Sequence, residues 1–498
     1  MIDAYHHLLK HYSQIHLLES IQGLLYWDLN TYMPSDGLQF RTEQFKWLQQ
    51  NIHKHWIDEE FASLISKCEK VDYLDSIQKR NVELTRREYD KRTVIPIKLV
   101  GDLAAQSNKT LEVWKIAKAK NSFQYVVFDL EKLFSLNLKR AELLAESSGI
   151  SDPYEALINF RDPGFSVNLL NNIFNEIKTF LVPFVKKCIS SQPDQTFLTR
   201  RVSREIQQEL VKELTKFLEY PHTTGRVDEV EHPLTIGCGP KDVRITVKYQ
   251  EDRVMKALSA GIHEIGHGLD SLQRNPEWRG QPINARKFPS FGESQSRLLE
   301  NIIGLSREFW SHFYPIFKEK VGVFTDIDLD TFYSAINTVK PGLSRMRADE
   351  LTYILHIIIR FEIERDLFAG NIKINELPQI WNEKYDEYLN VEVPSDTLGV
   401  MQDLHWYSQY WGYFFGYALG DIISSQIAET LSQLLPEWRE SLQNGSFTMI
   451  REWLANNVHS LGAQYDSLEL VEKITGEPLT NKYLINYLNE KYTELYKL

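Results

Sequence analysis

The chain has 498 residues, 43% hydrophobic and 25% charged, a balance that fits an ordinary globular protein long enough to bury a large core. A formal net charge of -12 weighs against nucleic acid or an anionic membrane surface as the main partner. No apolar run approaches the roughly 18 residues of a membrane span.

The amino terminus, Met1-Ile2-Asp3-Ala4-Tyr5-His6-His7, lacks the basic-then-apolar order of a signal peptide. Cys68, Cys188 and Cys238 are odd in number and contain no CxxC pair. A disulfide framework or a zinc ribbon is therefore not expected, and a reducing cytoplasm is. Cys238 reads as a small packed residue rather than a reactive thiol.

Helical patterns fill the first 220 residues, as in Thr110 to Lys120 and Val126 to Ser147. Turn chemistry interrupts them at Met33-Pro34-Ser35-Asp36-Gly37, at Asp152-Pro153 and at Arg161-Asp162-Pro163-Gly164. Between Pro221 and Asp252 the texture changes. Pro233, Gly237, Gly239 and Pro240 punctuate short runs there, and Val243 to Val247 alternate like a half-buried strand. A small sheet at about 230–250 is expected. Helices then resume almost to Leu498. The reading is mainly α, with that sheet next to a central helix, and one large domain over 1–498 divided into two helical lobes by a deep cleft.

In the central helix, Val254, Leu258, Ile262, Ile265, Leu269 and Leu272 describe one apolar face. Beside that face lies His263-Glu264-Ile265-Gly266-His267, an HEXXH sequence. Imidazoles at i and i+4 leave one side of a helix and can grip one metal ion, with the glutamate between them placed as general base. Gly261, Gly266 and Gly268 each cost about 1 kcal/mol relative to alanine in a helix. They suggest a close approach by another backbone or by a substrate.

A catalytic zinc site takes three protein ligands and keeps a fourth position open. Gln273, six residues after His267, rules out the metzincin pattern. The remaining candidates are Glu277, Glu293 and Glu300. Glu277 adjoins Pro276 in an expected loop. Glu293 begins a helical pattern, and Glu300 lies two turns further on. We favour Glu293, with Glu300 as runner-up or as a partner to an imidazole. His405, within Gln402-Asp403-Leu404-His405-Trp406, and Tyr410, Tyr413 and Tyr417 are candidate donors to an oxyanion.

These pieces together resemble the thermostable carboxypeptidase Taq family of metallocarboxypeptidases. Tyr26-Trp27-Asp28 and Tyr32-Met33-Pro34 belong to the resemblance. Asp242-Val243-Arg244-Ile245-Thr246 fits the family's DXRXT, and Glu293-Ser294-Gln295 fits its HESQ. Gly399 to Trp406 fits GXXQDXHW, and Thr475-Gly476-Glu477-Pro478-Leu479 is also similar.

The resemblance implies a cytosolic, metal-dependent exopeptidase of broad specificity, acting on peptides with a free carboxyl terminus. It implies a helical zincin fold with a cleft, like the neurolysin and angiotensin-converting-enzyme type, and a homodimer. His263, His267 and Glu293 become the metal ligands and Glu264 the base. Asp242, Arg244 and Thr246 line the substrate groove, and His405 belongs to it. Ser344-Arg345-Met346-Arg347-Ala348-Asp349 fits IRXXAD except at its first position, making Arg345 the carboxylate anchor and Arg347 its rival. One divalent ion per chain is expected, zinc first, with cobalt or manganese as alternatives.

Three departures from the family patterns stand out. Gly292 replaces the histidine of HESQ, Ser344 opens IRXXAD, and Leu234 ends the family's HPF as His232-Pro233-Leu234. The competing readings are an oligopeptidase or dipeptide-releasing peptidase using the same site, and a non-catalytic peptide-binding scaffold.

Overall fold

The computed structural model describes residues 2–190, 192–285 and 288–498. Helices dominate the chain, and the expected segments fall inside them to within one residue at an end, in Ile97–Ala119 and Val127–Ser148. The predicted breaks are real. Asp152 caps the helix Pro153–Arg161 by accepting from the amides of Tyr154 and Glu155, and proline occupies its first turn, where no amide donor is needed. The turn after Arg161 has a second use. Asp162 is fully buried and accepts at 3.1 Å from the Ser290 amide, as well as from the Ser290 hydroxyl. A turn of the early chain thus anchors the start of the helix Pro289–Arg297.

The sheet has three strands in the order β1-β3-β2: β1 is Gly225–Glu229, β2 Thr235–Gly239 and β3 Asp242–Val247. β1 runs parallel to β3, with Val227 opposite Ile245, and β2 runs antiparallel to it, with Ile236 opposite Arg244. The sheet therefore begins at 225, earlier than the expected 230. Gly-Arg-Val-Asp-Glu has little strand character of its own, and tertiary pairing with β3 imposes it.

Val243, Ile245 and Val247 of β3 are buried beneath the helix Val254–Leu272, whose Leu258, Ile262, Ile265 and Leu269 are no more than 3% exposed. Ile245, Val247 and these helix residues belong to one large apolar core reaching from Ile95 to Tyr496. The N-terminal helices keep a smaller core around Tyr5, Leu8, Ile15, Trp56 and Phe61.

The glycines of the central helix divide by role. A Cβ at Gly266 would fall 2.6 Å from the Gln295 carbonyl oxygen and 2.7 Å from the Ser296 Cα, so the two helices touch backbone to backbone. At Gly268 it would meet the Tyr220 ring at 2.6 Å. Gly261 has nothing nearer than 3.7 Å, so the close approach expected there is absent. His459, 1% exposed, reinforces the contact at Gly266: its Nδ1 lies 2.6 Å from Gln273 Oε1 and its Nε2 3.0 Å from Gln295 Oε1.

This contrast sets a paired prediction. Gly261→Ala raises thermal stability, by up to about 1 kcal/mol from helix propensity. Gly266→Ala lowers it by about 1–3 kcal/mol, the usual cost of overpacking against backbone. Melting temperatures of the two variants check the opposite signs.

Candidate active site

The helix Val254–Leu272 presents His263 and His267 one turn apart, with ring centroids 4.9 Å apart and ring planes at 82°. The helix Pro289–Arg297, held against it at Gly266, brings in Glu293. The ligand atoms of these three residues lie within 4.8 Å of one another, and His267 Nε2 is 3.6 Å from Glu293 Oε2. Ligand bonds of about 2.0–2.2 Å in tetrahedral array suit such a group, so these residues could hold a metal ion. On the far side, the helix Phe415–Leu434 closes the position: a Cβ at Gly420 would lie 2.7 Å from Glu293 Cγ.

Glu300 lies where the helix widens into a π turn, Leu298–Ile303. It partners an imidazole and stands outside the group of three. Its Oε2 is 2.8 Å from His263 Nδ1, and its Oε1 accepts from Ser259 Oγ at 2.6 Å. Because a carboxylate only accepts, Nδ1 carries a proton, and Nε2 is the nitrogen that offers a lone pair when the ring is neutral. Glu277 is exposed in a short turn and joins none of these contacts.

Sequence reasoning missed Arg297. It donates to Glu293 Oε1 at 3.1 Å and to Glu300 Oε2 at 3.3 Å, and its guanidinium covers the Tyr353 ring at 4.2 Å. Its spacing, four residues after Glu293 and three before Glu300, is the helical signal that could have found it. Burial opposes the charge on both carboxylates, but His263 and Arg297 outweigh it. Glu300 is held at about 2 and Glu293 well below its ordinary range. Burial likewise disfavours charge on His263, yet Glu300 and Glu293 push it up to about 9. The pocket is therefore built for positive charge.

Glu264 is 6% exposed, and its Oε2 accepts from Thr235 Oγ1 at 2.5 Å. Thr235, on β2, was also missed; it follows Leu234, one of the three departures from the family patterns. The groove residues divide. Asp242 and Arg244 form a two-point pair at 2.8 Å, and Arg244 stacks on Trp27 at 4.1 Å. Thr246 stands apart from them. It is fully buried, and its hydroxyl accepts from the Leu234 amide at 2.9 Å and donates to the Leu234 carbonyl at 3.0 Å. It ties β2 to β3 and has no donor left for a substrate.

Arg345 is buried, 3.3 Å from Asp403 Oδ1 and from the Tyr353 hydroxyl, with its Nε unpartnered. The other Asp403 oxygen binds the fully buried Arg360 at 2.5 Å. Arg347 is exposed. His405 packs against Phe414 at 4.7 Å, and burial, with Arg345 nearby, lowers its pKa to about 4, so it is neutral at pH 7. Tyr413 and Tyr417 share a cavity of about 160 Å3 with His267 and Glu293, whereas exposed Tyr410 lies outside it. Cys238 is half-buried, and burial pushes its thiol up to about 11, in keeping with a packed residue.

Comparison with known proteins decides the family. The pattern of the carboxypeptidase Taq (M32) metallopeptidase family matches residues 7–492. The chain belongs to this family. It is 35% identical to carboxypeptidase 1 of Bacillus subtilis over 99% of this chain and 98% of that one. It is 32% identical to thermostable carboxypeptidase 1 of Thermus thermophilus over 99% of each. The crystal structure of the M32 carboxypeptidase from Deinococcus radiodurans R1 superposes with a TM-score of 0.97 at 31% identity, over 100% of both chains. The chain is thus a metallocarboxypeptidase of this family, a peptide hydrolase that requires a divalent metal ion. Among the described residues, no helix is long and apolar enough to cross a membrane.

Removing a hydrogen-bond partner behind a ligand typically weakens metal binding about 10–100-fold. Glu300→Gln is expected to do so here by weakening the hold on His263. Arg297→Ala is expected to be worse, because it strands two buried carboxylates. Chelator competition against zinc measures both.

Proposed function

We propose that the chain releases single residues from the carboxyl termini of peptides, with His263, His267 and Glu293 holding one zinc ion and Glu264 as general base. The observation that carries this reading is the three-residue group on two touching helices, with Glu264 on the same helical turn and Arg345 one tyrosine ring away from the shared cavity. Bound there, the ion supplies Lewis-acid polarisation of a carbonyl and a water acid enough to ionise near neutrality. Two imidazoles and a carboxylate favour zinc, with cobalt and manganese as the ions to compare.

The protein's own residues do the rest. Glu264 takes the proton of the attacking water and passes it to the leaving amine. Thr235 fixes one carboxylate oxygen of Glu264, so the other faces the reaction. Arg345 offers a forked guanidinium to the terminal carboxylate, and Asp403, gripped by Arg360, orients it. Tyr413, Tyr417 and neutral His405 are the donors available to the oxyanion. Asp242 and Arg244, braced on Trp27, shape the groove wall. Three free cysteines support a cytoplasmic setting. One domain over 1–498, with lobes around a cleft, and a homodimer complete the reading.

An oligopeptidase or dipeptide-releasing enzyme is the second reading, and the buried Arg345 weighs against it, since an internal bond offers no carboxylate. The test is amino-acid release from a blocked tripeptide by protein stripped with chelator and reloaded with zinc, cobalt or manganese. Glu264→Gln should lose about 10²–10⁴-fold in kcat, the usual worth of a general base, while binding zinc as before. Unchanged turnover in that variant would instead remove the assigned base. Amidating the peptide should abolish release; undiminished cleavage would favour the oligopeptidase.

Arg345→Lys keeps the charge and loses the fork. It should cost about 2–5 kcal/mol in kcat/KM on free-carboxylate peptides, by analogy with other buried charge pairs.

A further inference from the structure

We propose that the cavity beside Gly292 receives the side chain of the substrate's terminal residue and selects ring-sized groups over basic ones. This inference rests on the carboxypeptidase reading above. The cavity, about 160 Å3, is bounded by Tyr413 and Tyr417, by Gly292 and Gly416, and on its metal side by His267 and Glu293. A cavity of roughly 150 Å3 accommodates one benzene ring. The volume therefore matches a phenyl or comparable group and exceeds what a methyl would fill.

Gly292 lines this space. It directly precedes Glu293 on the helix Pro289–Arg297 and contributes no side chain to the wall. The family pattern carries a histidine at this place, where this chain has no side chain. The chain thus departs from its family at a residue that touches the cavity while leaving the group of three intact.

The position also suits a terminal residue. Its carboxylate and its side chain leave the same carbon, so the sites for the two must adjoin. Tyr417 joins them: its ring lines the cavity, and the Arg345 guanidinium lies 5.2 Å from its centroid. The cavity's charge surroundings narrow the choice further. Arg161 lies 5.1 Å from the Tyr413 centroid, so a guanidinium backs each tyrosine and repels a basic side chain. The two rings, 5.4 Å apart at 76°, offer a third ring the edge and face contacts that aromatic groups prefer.

The test uses blocked tripeptides that differ only in a terminal alanine, phenylalanine or arginine, with zinc-loaded wild type, Gly292→Ala and Gly292→His. In the wild type, kcat/KM for phenylalanine should exceed that for alanine by about tenfold or more, a discrimination ordinary for apolar pockets, and arginine should fall below alanine. Gly292→His should reduce the phenylalanine-to-alanine ratio about tenfold, with Gly292→Ala intermediate.

Calorimetry of 3-phenylpropanoate against propanoate gives a readout that needs no turnover. The wild type should bind the first at least about tenfold more tightly, and Gly292→His should erase the difference. Equal efficiency on all three peptides, or a ratio and a binding difference that Gly292→His leaves unchanged, overturns the pocket and leaves the carboxypeptidase standing. No release from any peptide removes the carboxypeptidase reading, and this assignment with it.

Discussion

Two helices must come closer than side chains ordinarily permit before a carboxylate on one can share an ion with imidazoles on the other. Packed helix axes usually stand about 8–10 Å apart because side chains fill the gap. Gly266, lying between His263 and His267 in sequence, removes that spacer where the Gln295 carbonyl arrives. Gly420 removes another behind Glu293. The position of Glu293 is thus set by two absent side chains. Asp162 then anchors the start of its helix, and His459 bridges that helix to Gln273. The site has little freedom left, which suits a ligand that must be in place before the ion arrives.

The electrostatics follow from that burial. Carboxylates taken out of water are tolerated only when paired, and here pairing is arranged in two tiers. Arg297 serves Glu293 and Glu300 together and rests on the Tyr353 ring. Arg345 and Arg360 share Asp403, and Arg345 also donates to the Tyr353 hydroxyl. Tyr353 therefore stands between the two systems, one arginine on its face and the other at its oxygen. A shift of either guanidinium is felt at both the metal side and the carboxylate-anchoring side, so neither arginine is a simple surface charge.

Much of this was legible in the sequence because it is local. The HEXXH spacing, the apolar face of its helix, the proline and glycine turns and the alternation in β3 are all short-range patterns, and the structure carries them. Glu300 was read as either a ligand or an imidazole's partner, and the geometry gives it the second part. Apart from Arg297, whose helical spacing to Glu293 and Glu300 is a local sign, what escaped detection is non-local. β1 is a strand because β3 pairs with it, and its own residues give no such sign. Thr235 meets Glu264 only once β2 lies along the central helix. Thr246 fitted a family motif and was assigned to the groove, yet pairing between β2 and β3 consumes its hydroxyl. His459, nearly two hundred residues from Gln273, carries no pattern of its own. Gly261 looked like its neighbours, and only the surroundings tell it from Gly266.

The three acidic residues of the site also show how environment separates roles that residue type alone does not. A ligand or a ligand's partner, the parts proposed for Glu293 and Glu300, must keep its charge, and each of these two is held by Arg297 together with an imidazole. A base must gain and lose a proton in every cycle, and a permanent cation at hydrogen-bonding distance would resist each gain. Glu264 has instead the neutral hydroxyl of Thr235, which can donate to a carboxylate oxygen and also to the carbonyl oxygen of the protonated acid. The same hydroxyl lies 3.2 Å from the Glu264 backbone carbonyl, so it has a second acceptor when the side chain moves. The partners thus differ: guanidinium and imidazole stand beside Glu293 and Glu300, and a hydroxyl stands beside Glu264, the base proposed above.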